Sequence, residues 1–100
     1  MSDPVAVFDG HNDTVLRLEL AARNGNPCDF AAGAEGLHID LPRARAGGLA
    51  GGLFAMFTPS RVMRAEEHFD PRDPTNFAPV PQEKALAFTV ALFARLRRLA

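Results

Sequence analysis

The hydrophobic positions of the chain form two short uninterrupted runs and two longer periodic stretches. The runs lie within residues 5–9 and 53–57. An apolar run of this length is typical of a short strand buried on both faces, as in a parallel sheet. Consecutive parallel strands are usually neighbours, so the pattern predicts that residues 5–9 and 53–57 pair as adjacent parallel strands.

The two periodic stretches predict helices at residues 14–23 and 82–99. Asn24 and Gly25 provide a stop for the first helix. In the second, Glu83 lies near the positive end of the helix dipole, and three arginines lie near the negative end. The second helix is apolar over a wide face, which needs cover from a sheet and from neighbouring helices. Two short strands cannot supply that cover.

The connecting segments predict one further helix and two loops. Asp40 stands two residues before Pro42, which is typical of a helix cap, and the short helix over residues 43–46 is expected to end at Gly47 and Gly48. Residues 26–36 are rich in glycine, asparagine and proline and predict a loop. Residues 60–81 allow a helical turn or two at 61–68, but four prolines exclude a long element. The fold class is therefore α/β.

The candidate chemistry begins where the first predicted strand ends. His11 and Asp13 are two residues apart, so an extended backbone directs both side chains to one face, roughly 6.5 Å apart along the strand. Imidazole nitrogen and carboxylate oxygen both bind zinc, and Gly10 lets the backbone bend there. The alternative is a simple turn in which Asp13 caps the following helix and His11 bonds locally. Asp13 is also able to do both, through different oxygens.

Other polar clusters favour structural roles. His38 and Asp40 repeat the His-x-Asp spacing, but the neighbouring Pro42 favours a capping role for Asp40. The glycines at 47, 48, 51 and 52 fit neither common phosphate-binding motif, and they predict a helix stop and a close approach of backbones. An acidic cluster with one histidine is more typical of a solvated loop than of a metal site. Its members are Glu66, Glu67, His68 and Asp70.

Composition narrows the functional classes. The 100 residues are 47% hydrophobic and 23% charged, with a net charge of -1 and scattered basic residues, which gives no reason to expect a nucleic-acid partner. No apolar run approaches the roughly 18 residues of a spanning helix, and the first residues lack the pattern of a signal peptide. The single Cys28 cannot form an internal disulfide and fits a reducing compartment. A cytoplasmic location with no membrane partner is expected.

Several of these segments, in order, resemble the start of the membrane dipeptidase (renal dipeptidase) family of zinc peptidases. They are Asp9-Gly-His-Asn-Asp13, Ile39-Asp-Leu-Pro-Arg43, Ala46-Gly-Gly48 and Gly51-Gly-Leu-Phe-Ala-Met-Phe57. The resemblance covers residues 5–57. It implies a (β/α)8 barrel with two zinc ions, in which His11 and Asp13 are metal ligands of one zinc and Asp9 has a supporting role. The family's other ligands, a glutamate and two histidines on later strands, match nothing in this sequence.

The resemblance also defines the expected function. A complete barrel of this type needs about 250 residues, so residues 1–100 would form the first two βα units of a single barrel domain that is incomplete in this chain. The expected activity is zinc-dependent hydrolysis of dipeptides, with a dipeptide as partner and a homodimer left open. Two alternatives are a noncatalytic interaction or subunit protein, and a haloacid dehalogenase-type phosphotransferase. The latter needs two aspartates two residues apart, whereas Asp9 and Asp13 are four apart.

Overall fold

The computed structural model describes residues 5–60 and 70–99 and contains two strands, three α-helices and one short 3-10 helix in that part of the chain. In chain order they are β1 (Val7–Asn12), α1 (Thr14–Arg23), α2 (Leu41–Gly47), β2 (Leu49–Phe54), the 3-10 helix (Pro74–Phe77) and α3 (Gln82–Leu99). The predicted helices at 14–23 and 82–99 are confirmed at both ends. Within the described residues, no helix is both long and apolar enough to cross a membrane.

The two strands form a parallel pair, as the sequence predicts, but with different bounds. β1 lies at Val7–Asn12 rather than 5–9, and β2 lies at Leu49–Phe54 rather than 53–57. Two glycines in β2 explain the shift, because they permit a close approach of the strands. A Cβ atom on Gly51 would lie 3.3 Å from the Phe8 ring, and one on Gly52 would lie 3.3 Å from Cβ of Asp9.

The prediction that both strands are buried on both faces is wrong. Val7, Phe8 and Leu53 expose 45%, 65% and 59% of their surface. The described helices do not form a layer over the strand pair: α1 packs mainly against α3, whereas α2 makes a small contact with β2. Burial of a strand requires a neighbouring layer on each face, which the apolar pattern of the strand alone cannot guarantee.

The main core lies between α1 and α3. Val15 from α1 packs with Phe88 and Leu92 from α3, and all three are buried. Partly buried apolar side chains surround this cluster: Leu16, Leu20, Phe54, Met56 and Leu96. Through Phe54 and Met56, the core joins the end of β2 to the helix pair.

An ion-pair network connects α1 to α3 beside this core. Glu19 accepts hydrogen bonds from Nε of Arg95 at 2.7 Å and from Nε of Arg23 at 3.1 Å. Burial of Glu19 raises its pKa, but the hydrogen bonds from Arg95 and Arg23 outweigh burial, so the pKa lies below its usual value. Arg95, which the sequence assigns only to the helix dipole, therefore binds the neighbouring helix.

One face of α3 is exposed, as the width of its apolar pattern leads one to expect. Leu86, Val90 and Phe93 follow each other at helical spacing and are 62%, 58% and 51% exposed. Within the described chain, the predicted need for cover on this face is not met. Any residues that cover Leu86, Val90 and Phe93 would lie outside the described part of the chain.

The capping predictions around α2 are confirmed. The carboxylate of Asp40 accepts the backbone N–H of Arg43 at 2.9 Å, and Pro42 stands in the first turn. Gly48 ends the helix with a left-handed backbone (φ 75°), a conformation that glycine adopts without steric cost.

The loop that follows β2 is described in part. The helical turn predicted at 61–68 and three members of the acidic cluster, Glu66, Glu67 and His68, lie outside the described residues. The fourth member, Asp70, accepts the N–H of Arg72 at 2.9 Å, an arrangement typical of a local turn.

Candidate functional site

His11 and Asp13 meet at the carboxyl end of β1. Nε2 of His11 lies 3.1 Å from Oδ1 of Asp13. Both side chains are accessible, with 67% and 45% of their surfaces exposed. The predicted convergence of the two groups on one side of the chain is therefore present. In open parallel sheets, the carboxyl ends of the strands are the usual place for ligand sites.

A bulge at the end of β1 accompanies this convergence. Asp9 pairs with Gly52 and Asn12 with Phe54, so β1 advances one residue more than β2 between the two pairs. A bulge of this kind bends a strand and redirects its side chains. Asp13 itself has left the extended conformation, with φ -109° and ψ 29°. The simple alternation of an extended strand is therefore not what brings the groups together.

The side chain of Asn12, rather than that of the N-cap residue Asp13, bonds the first backbone N–H of α1. Oδ1 of Asn12 accepts the backbone N–H of Thr14 at 3.2 Å, whereas the side chain of Asp13 makes no capping hydrogen bond. The expectation that the Asp13 carboxylate caps the helix is thus wrong. The Asn12 amide reaches the N–H two residues ahead, as in an Asx turn. The Asp13 carboxylate keeps its oxygens clear of the helix amides.

Asn12 also holds Asp9. Its Nδ2 donates to Oδ2 of Asp9 at 2.9 Å, and Asn12 itself is only 9% exposed. One amide side chain thus connects the last part of β1 to the first turn of α1. This contact fits a supporting role for Asp9 at the strand end.

A cleft of about 300 Å³ opens beside His11 and Asp13. Two residues that the sequence did not assign to the site, Arg17 and His38, also line it. The remaining lining residues are Asp9, Asn12, Thr14 and Ile39. The cleft therefore combines carboxylates, imidazoles and one guanidinium.

The fit of this arrangement to a zinc ion is partial. His11 and Asp13 offer one nitrogen and one oxygen donor, both of types that zinc binds. In the part of the chain that the structure describes, no group of three or more histidine, cysteine, aspartate or glutamate side chains is placed to hold an ion. Zinc sites in proteins use three or four protein ligands, so this pair would need additional ligands.

The second His-x-Asp pair has a different arrangement. Asp40 is 4% exposed and accepts hydrogen bonds from the backbone N–H groups of Arg43 and Ala34 as well as from the Arg43 guanidinium. The Arg43 guanidinium, followed by the Arg43 backbone N–H, lowers the pKa of Asp40 to about 2. Arg43 also donates to the carbonyl oxygens of Ala34 and Leu37. The structural role predicted for Asp40 is confirmed.

Arg17, His38 and Asn12, which the sequence does not assign to the site, each have some signal in the sequence. Arg17 stands four residues after Asp13, at the spacing of neighbours on one helix face. His38 belongs to the second His-x-Asp motif, but the loop that carries it into the cleft has no periodic pattern. Asn12 and Asp13 are neighbours of residue types that both cap helices, and residue type alone does not show which side chain bonds the first turn of α1.

No family model matches the sequence, and no solved structure matches it. A curated protein of Acinetobacter calcoaceticus, described as an uncharacterized protein in the PQQ-III 3' region, is 36% identical to this chain over 64 residues. That stretch is 64% of this chain and 20% of the relative, so the chain spans about one fifth of the length of the protein it matches.

Proposed function

We propose that this chain supplies part of the zinc site of a metallo-dipeptidase of the membrane dipeptidase family. The observation that carries the proposal is the 3.1 Å approach of His11 Nε2 and Asp13 Oδ1 at the carboxyl end of a parallel strand. The Asp13 carboxylate is available because Asn12 caps the helix in its place.

The proposed architecture is the first two βα units of a (β/α)8 barrel. Parallel pairing of β1 and β2 supports it, and so does the exposure of Val7, Phe8 and Leu53, which further layers of a barrel would cover. The small share of the relative that this chain matches is compatible with a longer protein. Further strands would bring the additional metal ligands to the same end of the sheet.

The proposed activity is hydrolysis of dipeptides in the cytoplasm. His11 and Asp13 would hold one of two zinc ions, and Asp9 would support the strand end through Asn12. Zinc, when bound, makes a coordinated water acidic enough to act as a nucleophile near neutral pH. The cleft beside His11 and Asp13 would admit the substrate.

The test compares metal content and dipeptide hydrolysis in the full-length gene product and in its His11→Ala and Asp13→Ala variants. We expect about two zinc ions in the wild type, with loss of bound zinc and of activity in both variants, because each removes a ligand. Glu35→Ala, which removes an exposed carboxylate outside the cleft, is the matched control and should retain both properties. Full zinc occupancy and unchanged turnover in both ligand variants would contradict the proposal.

A second candidate is a noncatalytic interaction or subunit protein. The exposed stripe of Leu86, Val90 and Phe93 favours it, since large apolar patches often mark contact surfaces. In that case, His11 and Asp13 would form only a turn pair. A full-length protein that binds no zinc and hydrolyses no dipeptide would favour this candidate.

A further inference from the structure

Gly52 is the residue of β2 that pairs with β1 where the bulge begins. It is the partner of Asp9, and Asn12, beyond the bulge, is the partner of Phe54. The φ of Gly52 is not positive, so an alanine at this position could adopt the same backbone conformation. What excludes a larger residue at Gly52 is therefore contact with its neighbours.

Two of the three atoms nearest to a Cβ atom on Gly52 belong to Asp9. They are Cβ of Asp9 at 3.3 Å and the carbonyl oxygen of Asp9 at 3.4 Å. Neither atom can move away by rotation of a side chain, because both are fixed by the backbone. The third atom is Cε1 at 3.4 Å in the ring of Phe54, which packs against the core. A methyl group at Gly52 would therefore press β1 away at Asp9.

Gly51, the preceding residue, approaches β1 in a different way. A Cβ atom on Gly51 would lie 3.3 Å from Cδ2 and from Cε2 of the Phe8 ring. The Phe8 side chain is exposed, so its ring can rotate into solvent without a movement of the strand. The two adjacent glycines thus differ, since Gly51 faces a movable ring and Gly52 faces the strand itself.

A displacement of Asp9 would reach both proposed zinc ligands through Asn12. Nδ2 of Asn12 donates to Oδ2 of Asp9 at 2.9 Å, and the backbone carbonyl of Asn12 accepts the N–H of Ala55 at 3.0 Å. Asn12 is buried and stands between His11 and Asp13 in the sequence. The contacts of Asn12 therefore fix the backbone from which the two ligand side chains extend.

We infer that Gly52 is a positioning residue for the proposed zinc ligands His11 and Asp13. The absence of a side chain at Gly52 keeps Asp9 in place, and Asp9 in turn holds Asn12 between the ligands. The inference rests on the proposed zinc site and adds a residue of the neighbouring strand on which the ligand geometry depends. Gly52 offers no ligand atom and acts only through Asp9 and Asn12.

The test measures the zinc dissociation constant of the full-length gene product by competition with a chelator of known affinity. We expect Gly52→Ala to raise this constant about 10- to 100-fold, as is typical when the groups that orient metal ligands are disturbed. Gly51→Ala is the matched control, because it adds the same methyl group one residue earlier, and it should leave the constant nearly unchanged. Well below the melting temperature, a loss of stability alone does not change the affinity, since almost all of the protein is folded.

Cobalt substitution gives a second measurement that a purely structural role would not affect. Co²⁺ in place of zinc absorbs visible light with a wavelength and intensity that depend on the number and arrangement of its ligands. The spectrum of Gly52→Ala should differ from that of the wild type, because its ligands are displaced. The spectrum of Gly51→Ala should match that of the wild type.

Asp9→Ala tests the route from Gly52 to the ligands, and it does so even if Gly52→Ala fails to fold. It removes the acceptor of the Asn12 amide without adding an atom between the strands. We expect a rise in the zinc dissociation constant similar to that of Gly52→Ala. The double variant should lose little more than either single variant, because both substitutions break the same contact. An unchanged constant in Asp9→Ala, or additive losses in the double variant, would overturn the inference.

The outcomes separate this inference from the proposed function. A wild type that binds zinc, together with a Gly52→Ala variant of unchanged affinity and cobalt spectrum, would overturn the role of Gly52 alone. Equal losses of affinity in Gly52→Ala and Gly51→Ala would also overturn it, since they would reflect general crowding between the strands. A wild type that binds no zinc would overturn both the role of Gly52 and the proposed function.

Discussion

The two His-x-Asp pairs of this chain have the same spacing and opposite surroundings. His11 and Asp13 contact each other at 3.1 Å on an accessible surface, and Asp13 makes no capping hydrogen bond. Asp40 is buried and accepts hydrogen bonds from Arg43 and Ala34, whereas His38 is exposed. The difference shows that two identical spacings place their carboxylates among different hydrogen-bond donors.

The local sequence explains why the surroundings differ. Asp40 precedes a short helix whose first turn contains Pro42, and no other side chain occupies its capping position. Before α1, the N-cap residue Asp13 follows Asn12, and the Asn12 side chain accepts the N–H of Thr14. A carboxylate whose oxygens are satisfied by several N–H groups is poorly suited to bind a metal, whereas Asp13 retains oxygens for a ligand.

The largest expected difference between the two motifs is in stability. Asp40→Ala should lower the melting temperature of the full-length gene product clearly, because it removes a helix cap and leaves donors of Arg43 and Ala34 without their acceptor. Asp13→Ala, the matched variant in the other motif, should change the free energy of unfolding by less than about 0.5 kcal/mol in metal-free protein. Thermal unfolding followed by circular dichroism measures both. Equal melting temperatures for Asp40→Ala and Asp13→Ala would contradict the different structural roles of the two aspartates.

Acid should reduce the stabilising effect of the Asp40 carboxylate. The pKa of Asp40 in the folded protein is about 2, below its usual value of 3.8, so ionised Asp40 favours the folded state. Its contribution to stability is fully present above the usual value and is lost as the pH falls towards 2, because the unfolded chain takes up the proton first. The difference in melting temperature between wild type and Asp40→Asn should therefore shrink over that range. A difference that stays constant down to pH 2 would contradict the role of the ionised group.

Much of the fold follows from local sequence. The bounds of α1 and α3 were predictable because each helix combines apolar periodicity with an end signal: a glycine stop follows α1, and charged residues that match the helix dipole lie at the ends of α3. The cap at Asp40 and the stop at Gly48 were predictable because residue type and position alone specify them. The parallel pairing of the strands also followed from the order of the elements.

The parts that could not be predicted depend on contacts between distant residues or on competition between neighbours. The shift of β2 towards Gly51 and Gly52 reflects the approach of another strand. The pairing of Glu19 with Arg95 joins two helices that lie far apart in sequence. His38 reaches the cleft through an irregular loop, whose path no periodic pattern specifies. At the site itself, His11 and Asp13 could be named from the sequence, but their zinc role stays a prediction.

A smaller effect than that of Asp40→Ala is expected at Asn12, the residue that leaves Asp13 available. Asn12→Ala should lower the free energy of unfolding by about 1 kcal/mol, since an N-terminal cap of α1 is lost. It also removes the donor to Asp9, so part of the loss comes from the strand end. Asn12→Asp is the control, because it retains an oxygen that can accept the N–H of Thr14 but cannot donate to Asp9. Chemical denaturation of the metal-free full-length protein measures both free energies.

The double variant Asn12→Ala with Asp13→Ala then decides whether Asp13 can replace Asn12 as the cap. If the Asp13 carboxylate turns to cap α1 once Asn12 is lost, the double variant will be clearly less stable than Asn12→Ala alone. We expect instead that the two substitutions add, with Asp13→Ala contributing little, because Asp13 is held by its contact with His11. A marked non-additive loss would mean that the Asp13 side chain can cap α1 when Asn12 is absent. Both aspartates of the two His-x-Asp pairs would then be able to act as helix caps.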